Sequence, residues 1–394
     1  MTSKWLRWAP AAAVPAVIAA GVLAGSVPAS ARDPLPDKTP AQVLAMIAQH
    51  STKSLSGTLE QASELGLPDV PQIGPTSGAG AGSAVELLTG PHTARVFIDG
   101  PAKVRIQVMD RLAERDVVRN GNEVWLYNSR DNTASHVTLP DALKKPDALK
   151  KKGAGSVPPA TRTPGSVATP EELAARVLAK IDASTEVTVG DDVEVAGRAA
   201  YNLRVSPRSQ GTLVESVAIA VDGEKGLPLS VEVRARGQAE PAFRAAFSSL
   251  TLETPDAGLF NFTPPPGATI KEHVLPPHHH DARPPGAGIP GRHHAGDGKA
   301  AAAEKKSRWV TGSGWDSIVE FPARSTSPDA AAPGAGIPSI DALLTDPLLR
   351  QATVTVPEGR AISTSLLNVL FTDDGRVFAG SVPLERLQAA AAAR

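Results

Sequence analysis

The sequence predicts an α+β fold: one large, curved antiparallel sheet with helices on its apolar face and a strand-rich C-terminal extension. Three observations carry this reading. Apolar and polar residues alternate along at least five segments, only two helices have clear starts, and Asn120-Gly121 and Asp374-Gly375 each separate two strand-like runs.

The strands follow from the period of two. Val96 and Ile98 open the series. Val104, Ile106 and Val108 alternate with Lys103, Arg105 and Gln107. Tyr201, Leu203 and Val205 repeat the pattern, as do Val217, Ile219 and Val221, then Leu229, Val231 and Val233. A period of two sends each aliphatic set to one side of a sheet, so a sheet with one wet face is expected. Arg95, Lys103, Arg105, Arg115 and Arg119 read as the solvated side, or as cations that orient an anionic headgroup at a cavity rim.

The helices follow from their caps. Thr39-Pro40 places an N-cap and a first-turn proline before Val43, Leu44 and Ile47. Thr169-Pro170-Glu171-Glu172 repeats the start ahead of Leu173, Val177, Leu178 and Ile181. Weaker helices are expected near Ser339 and from Pro383 through Leu387. Each long block is thus a capped helix followed by a strand meander.

Breaker-rich segments separate the blocks: 74–83, 150–169, 276–303 and 325–338 offer Gly, Pro, Ala and Ser with little large apolar area. The N-terminus carries Lys4 and Arg7, an apolar stretch from Ala9 to Ala24, and Ala29-Ser30-Ala31. That order predicts a signal peptide, 1–31, cleaved after Ala31, and hence an exported, extracytoplasmic protein.

Composition narrows the function. Cys is 0, which excludes disulfides, thiol catalysis and thiolate metal sites. With 40 basic against 41 acidic residues, nucleic-acid binding through bulk charge is not expected. No nucleophile elbow, zinc-protease helix, Walker loop or dinucleotide fingerprint occurs, so no enzyme and no cofactor are predicted. Gly312-Ser313-Gly314-Trp315 lacks triad partners, and His50, His92 and His136 occur singly. Asp373-Asp374-Gly375 and Asp191-Asp192 read as turns. His278, His279 and His280, with Asp281, and then His293 and His294 form a tract that could hold a divalent metal; a solvated linker taking up metal adventitiously is the favoured reading.

Short motifs add a family resemblance. The helix Thr39–His50, then Ser56-Gly57-Thr58-Leu59, Val104-Arg105-Ile106 and Gly121-Asn122-Glu123-Val124-Trp125-Leu126-Tyr127 resemble the LolA-like lipoprotein-carrier family. Phe260-Asn261-Phe262-Thr263-Pro264-Pro265-Pro266-Gly267-Ala268 is similar to that family's closing pattern. The RseB/MucB type of sensor shares the resemblance, which covers 37–275. It implies a half-open β-barrel with a helical lid over an apolar cavity, and a monomer whose partner is an acyl-chain lipid, a lipoprotein or a membrane-protein ectodomain. The cavity would be lined by Val96, Ile98, Val104, Ile106, Val108, Leu203, Val205, Val217, Ile219, Val221, Leu229, Val231 and Val233; a closed ordinary core is the alternative. Residues 276–304 are expected as a linker, and 305–394 as an extension packing on the main sheet.

Overall fold

Thr39 opens the first described helix with a reciprocal cap. Its side chain accepts a hydrogen bond from the Gln42 amide at 3.3 Å, and its own amide donates to Gln42 Oε1 at 2.8 Å. Helix α1, Pro40–Gln49, follows and buries Val43. Thr169 caps helix α2, Pro170–Leu178, in the same manner, with Glu171 and Glu172 in the first turn, where the helix dipole favours acidic groups. The computed structural model describes residues 34–66, 91–109, 113–139, 167–274, 310–321 and 353–393. The chain divides into residues 1–37 and 38–394. Of the first unit only 34–37 are described, without regular structure, and all that follows concerns the second.

Twelve strands form the main sheet. After α1 come β1 (Ser54–Ser63), β2 (His92–Asp99), β3 (Lys103–Met109), β4 (Glu114–Asn120), β5 (Glu123–Asn128) and β6 (Thr133–Thr138). After α2 come β7 (Thr185–Val195), β8 (Arg198–Pro207), β9 (Val214–Asp222), β10 (Pro228–Ala235) and β11 (Phe243–Thr251). Each meander pairs antiparallel in sequence order, and the two join where β1 pairs with β11. Gly57 sits at that junction: a Cβ there would collide with the Ser249 carbonyl oxygen. The glycine of the Ser56-Gly57-Thr58 motif is therefore a close-approach residue.

From β11 the chain returns through a 3-10 helix, Ala257–Phe260, to β12 (Thr269–Val274). β12 pairs parallel with β6, so the sheet is mixed rather than wholly antiparallel. β6 and β12 are separated in the chain by α2 and the whole second meander, so no hairpin constrains them to run antiparallel. With β12 and β7 as its two ends, the sheet is an open half-barrel. A further difference lies in β7, where Asp191 and Asp192 sit inside the strand at a register shift instead of in a turn.

The C-terminal residues form a second sheet of six strands: β13 (Val310–Thr311), β14 (Ile318–Phe321), β15 (Thr353–Val356), β16 (Gly359–Ser363), β17 (Asn368–Thr372) and β18 (Val377–Gly380). Helix α3, Leu384–Ala392, packs on β17 and β18. Ile318, Leu370, Phe378, Val382 and Leu387 make its core. A polar seam ties this sheet to the first. The Leu213 amide donates to the Ser381 carbonyl at 2.7 Å, Trp315 Nε1 donates to Thr185 Oγ1 at 2.9 Å, and the Ser365 amide donates to the Leu65 carbonyl at 2.9 Å. The helix expected near Ser339 and the breaker segments 74–83, 276–303 and 325–338 lie outside the described residues.

Candidate functional site

Strand register assembles one aliphatic face from residues far apart in sequence. Residues directly opposite each other across a sheet share a side. Leu55, Ile98, Val104, Arg119, Val124 and Val137 form one such row from β1 to β6. Val96, Ile106, Val117, Leu126 and Ser135 form the next. Burial is graded along these rows. Leu55, Val96 and Val108 are buried in a core cluster with Leu59 and Phe247. Ile98, Val104, Ile106, Val117, Leu126 and Val137 are only half-buried.

The matching face of the second meander is closed. Leu203 opposes Ile219, Val205 opposes Val217, and Ile219 in turn opposes Val231. These five residues, with Val221 and Leu229, are 2% exposed or less. Helix α1 contacts β7 and β8, and α2 contacts β10 and β11. Lys38 Nζ lies 5.8 Å from the centre of the Tyr201 ring at the start of α1. Val233, nearer the strand end, is half-buried. The thirteen expected lining residues thus fall into a sealed set on β8–β10 and a set on β2–β3 that runs out to an open flank.

The two helices are linked through a histidine. His50, just past the end of α1, lies with Nε2 3.4 Å from Glu171 Oε1 of α2 and Nδ1 2.6 Å from the Ile47 carbonyl oxygen. Both neighbours are acceptors, so the doubly protonated imidazolium satisfies both. The Glu171 carboxylate raises the His50 pKa above its ordinary value; burial opposes this and the Ile47 carbonyl adds to it.

The opposite face of β3–β6 is not the wet side expected from alternation. Arg105 makes a paired contact with Asp116, Nε to Oδ1 at 3.2 Å and Nη2 to Oδ2 at 2.6 Å. The Asp116 side chain is 2% exposed. Burial pushes the Asp116 carboxyl above its usual range, and the Arg105 guanidinium opposes that shift. The return segment covers this face: Arg105 Nη1 donates to the Leu259 carbonyl at 3.0 Å, and Phe260 is fully buried. Phe262 packs on Trp125 and Tyr127 at 5.6 and 5.8 Å between ring centres. His136 stacks on Trp125 and bridges Glu123 and Glu272. The aromatic motif Phe260-Asn261-Phe262 therefore serves as a cover for the sheet's second side.

Val117, Val124, Leu126, Val137 and the placement of Arg119 were not part of the expected lining. Extending the alternation through the Asn120-Gly121 hairpin would have placed the first three, since Val117 opposes Leu126. Arg119 sits within the aliphatic row, between Val104 and Val124. Burial lowers its pKa. Its Nε donates to the Gly121 carbonyl at 3.1 Å.

Among the described residues no group of three or more His, Asp or Glu is placed to hold a metal, and no helix is long and apolar enough to cross a membrane. The tract His278, His279, His280, His293 and His294 lies outside the described residues. Gly312-Ser313-Gly314-Trp315 is a structural turn whose Asp316 accepts from Ser209 Oγ at 2.6 Å.

No family model and no curated protein sequence matches the chain. Solved structures do. An uncharacterized conserved protein from Thermus thermophilus is 12% identical, with 59% of this chain and 98% of that one covered and a TM-score of 0.32. The MucA/MucB complex of Pseudomonas aeruginosa is 15% identical, covering 89% of this chain and 96% of the other at a TM-score of 0.38. A LolA superfamily protein from Nitrosomonas europaea is 8% identical, covering 57% and 99% at a TM-score of 0.20. At these identities the likeness to MucB and LolA superfamily proteins concerns the fold alone.

Proposed function

We infer that this protein is an exported, non-enzymatic binding module that takes up the acyl chain of a lipid or lipoprotein. One observation carries the reading. The aliphatic face of β2–β6 runs from buried Val96 and Val108 out to the half-buried Ile98, Val104, Ile106, Val117, Leu126 and Val137, while its counterpart on β8–β10 is sealed by helices. An exposed aliphatic face costs free energy in water, and an alkyl chain laid on it recovers on the order of 0.8 kcal/mol per buried methylene. Ile98, Val104 and Ile106 would make the first contacts, with Val117, Leu126 and Val137 completing the open flank.

A regulatory reading, in which the protein docks on a membrane-protein ectodomain and lipid acts as effector, draws on the second sheet. That sheet exposes Val310, Phe321, Val354 and Leu367, apolar side chains that a carrier half-barrel alone does not need. Pull-down of membrane proteins with and without added lipid separates the two.

The direct test is native mass spectrometry of residues 32–394 purified from a secreting host, followed by organic extraction. A stoichiometric acyl-chain adduct is expected. A clean apo mass, together with no uptake of a fluorescent fatty acid, would overturn the lipid reading and leave a protein-binding scaffold in its place.

A further inference from the structure

We propose that the open flank binds an acidic phospholipid, with the phosphate seated on the Arg119 guanidinium and the acyl chains along Val104, Ile106, Val117, Val124, Leu126 and Val137. This rests on the lipid-binding reading and narrows it to one headgroup charge and one residue.

Arg119 differs from three other strand arginines. Arg105 sits on Asp116, Arg198 on Asp222 and Arg244 on Glu232, each across from a carboxylate. Arg119 is half-buried, and its surroundings are the aliphatic row of Val104 and Val124. Its one hydrogen bond uses Nε, leaving both Nη groups without a partner among the described residues. A partly desolvated guanidinium without an anion is costly, and a bidentate phosphate offsets that cost. Burial already lowers the Arg119 pKa, which shows the penalty at work.

Position and width narrow the ligand further. Arg119 lies two residues before Gly121, at the hairpin end of β4, so a headgroup there sits on the rim with its remaining oxygens in water. The half-buried flank spans β3 to β6, three strand spacings of about 4.8 Å each. That is wider than one alkyl chain, which favours a diacyl lipid over a fatty acid.

The test uses the full mature chain and three fluorescent probes: labelled phosphatidylglycerol, labelled diacylglycerol, which lacks the phosphate, and a labelled fatty acid. Wild type should bind phosphatidylglycerol roughly tenfold more tightly than diacylglycerol, as expected for one charge-assisted pair. Arg119→Gln should bring phosphatidylglycerol down to the diacylglycerol level and leave the latter unchanged, and Arg119→Lys should keep part of the preference. Equal binding of both diacyl lipids by wild type would overturn the headgroup assignment while leaving lipid binding intact. So would a preference that survives Arg119→Gln. Tighter binding of the fatty acid would overturn the diacyl assignment. Binding of none of the three would overturn the lipid reading itself. Circular dichroism checks the variants, and if Arg119→Gln fails to fold, the wild-type comparison and its weakening by salt still decide.

Discussion

The two meanders of the main sheet carry the same alternation and end in different states. On β8–β10 the aliphatic rows are 2% exposed or less apart from the half-buried Val233, whereas on β3–β6 buried Val108 and Val124 alternate with the half-buried Val104, Ile106, Val117, Leu126 and Val137. The strands do not explain the difference, since Val, Ile and Leu dominate both. The helices do: α1 lies on β7 and β8, and α2 on β10 and β11. A half-barrel with its helices gathered over one half acquires a sealed half and a half whose aliphatic face stays partly open. The second sides differ too. Behind β3–β5 lie a buried ion pair and the aromatic cover of Phe260 and Phe262, so the open half is braced from the back.

That comparison breaks most visibly at Val231. Val231→Asp places an unpaired carboxylate in the sealed half, at a cost of about 4 kcal/mol or more. Urea unfolding should show a protein that is unfolded or nearly so; a well-folded variant would mean the sealed half is looser than its burial indicates. Arg105→Ala, behind the open half, strands Asp116 as a buried carboxylate, a loss of roughly 3–5 kcal/mol. Its midpoint should fall accordingly, and Asp116→Asn in the same background should restore part of it. A neutral Arg105→Ala would return that face to the solvated side predicted from alternation.

Ile106→Asp sharpens the contrast, because a half-buried site tolerates the charge better. We expect roughly 1–3 kcal/mol of destabilisation with native circular dichroism and no uptake of fluorescent fatty acid. A folded variant that still binds lipid normally would move the binding face elsewhere. Glu232→Gln, whose side chain pairs with Arg244 at 3.0 Å on the other side of β10, serves as the control with unchanged uptake.

The smallest effect concerns the link between the helices. Because the folded-state pKa of His50 is raised, its contribution to stability is fully present below the unfolded value of about 6.5 and is lost as pH rises through the folded value. Stability measured across that window should decline in the wild type and decline less in Glu171→Gln. Identical slopes would show that the pair does not couple α1 to α2.

Much of the fold was legible because its signals are local. Thr39 and Thr169 announced their helices, since a cap is satisfied by a residue three positions away. Asn120-Gly121 announced the β4–β5 hairpin, Asp374-Gly375 that of β17–β18, and Pro383 the start of α3. Less was legible of the candidate site. Val104 and Ile106 were visible as aliphatic positions on a strand, but so were Leu203 and Ile219, and nothing nearby in sequence distinguishes the first pair from the second. Arg105 and Arg119 looked alike as cations near strand ends. One is neutralised by Asp116 on the covered side, and the other stands among valines.

What the sequence by itself determined was the set of elements and their two-sided pattern, because backbone sterics and side-chain alternation act over a few residues. Which half closes was decided only in the tertiary structure. Closure depends on where α1 and α2 come to rest and on the return segment from Leu252 to Ala268 crossing the back of β3–β5, and these are contacts between residues far apart in the chain. The same long-range register sets Arg119 in the aliphatic row, between Val104 and Val124.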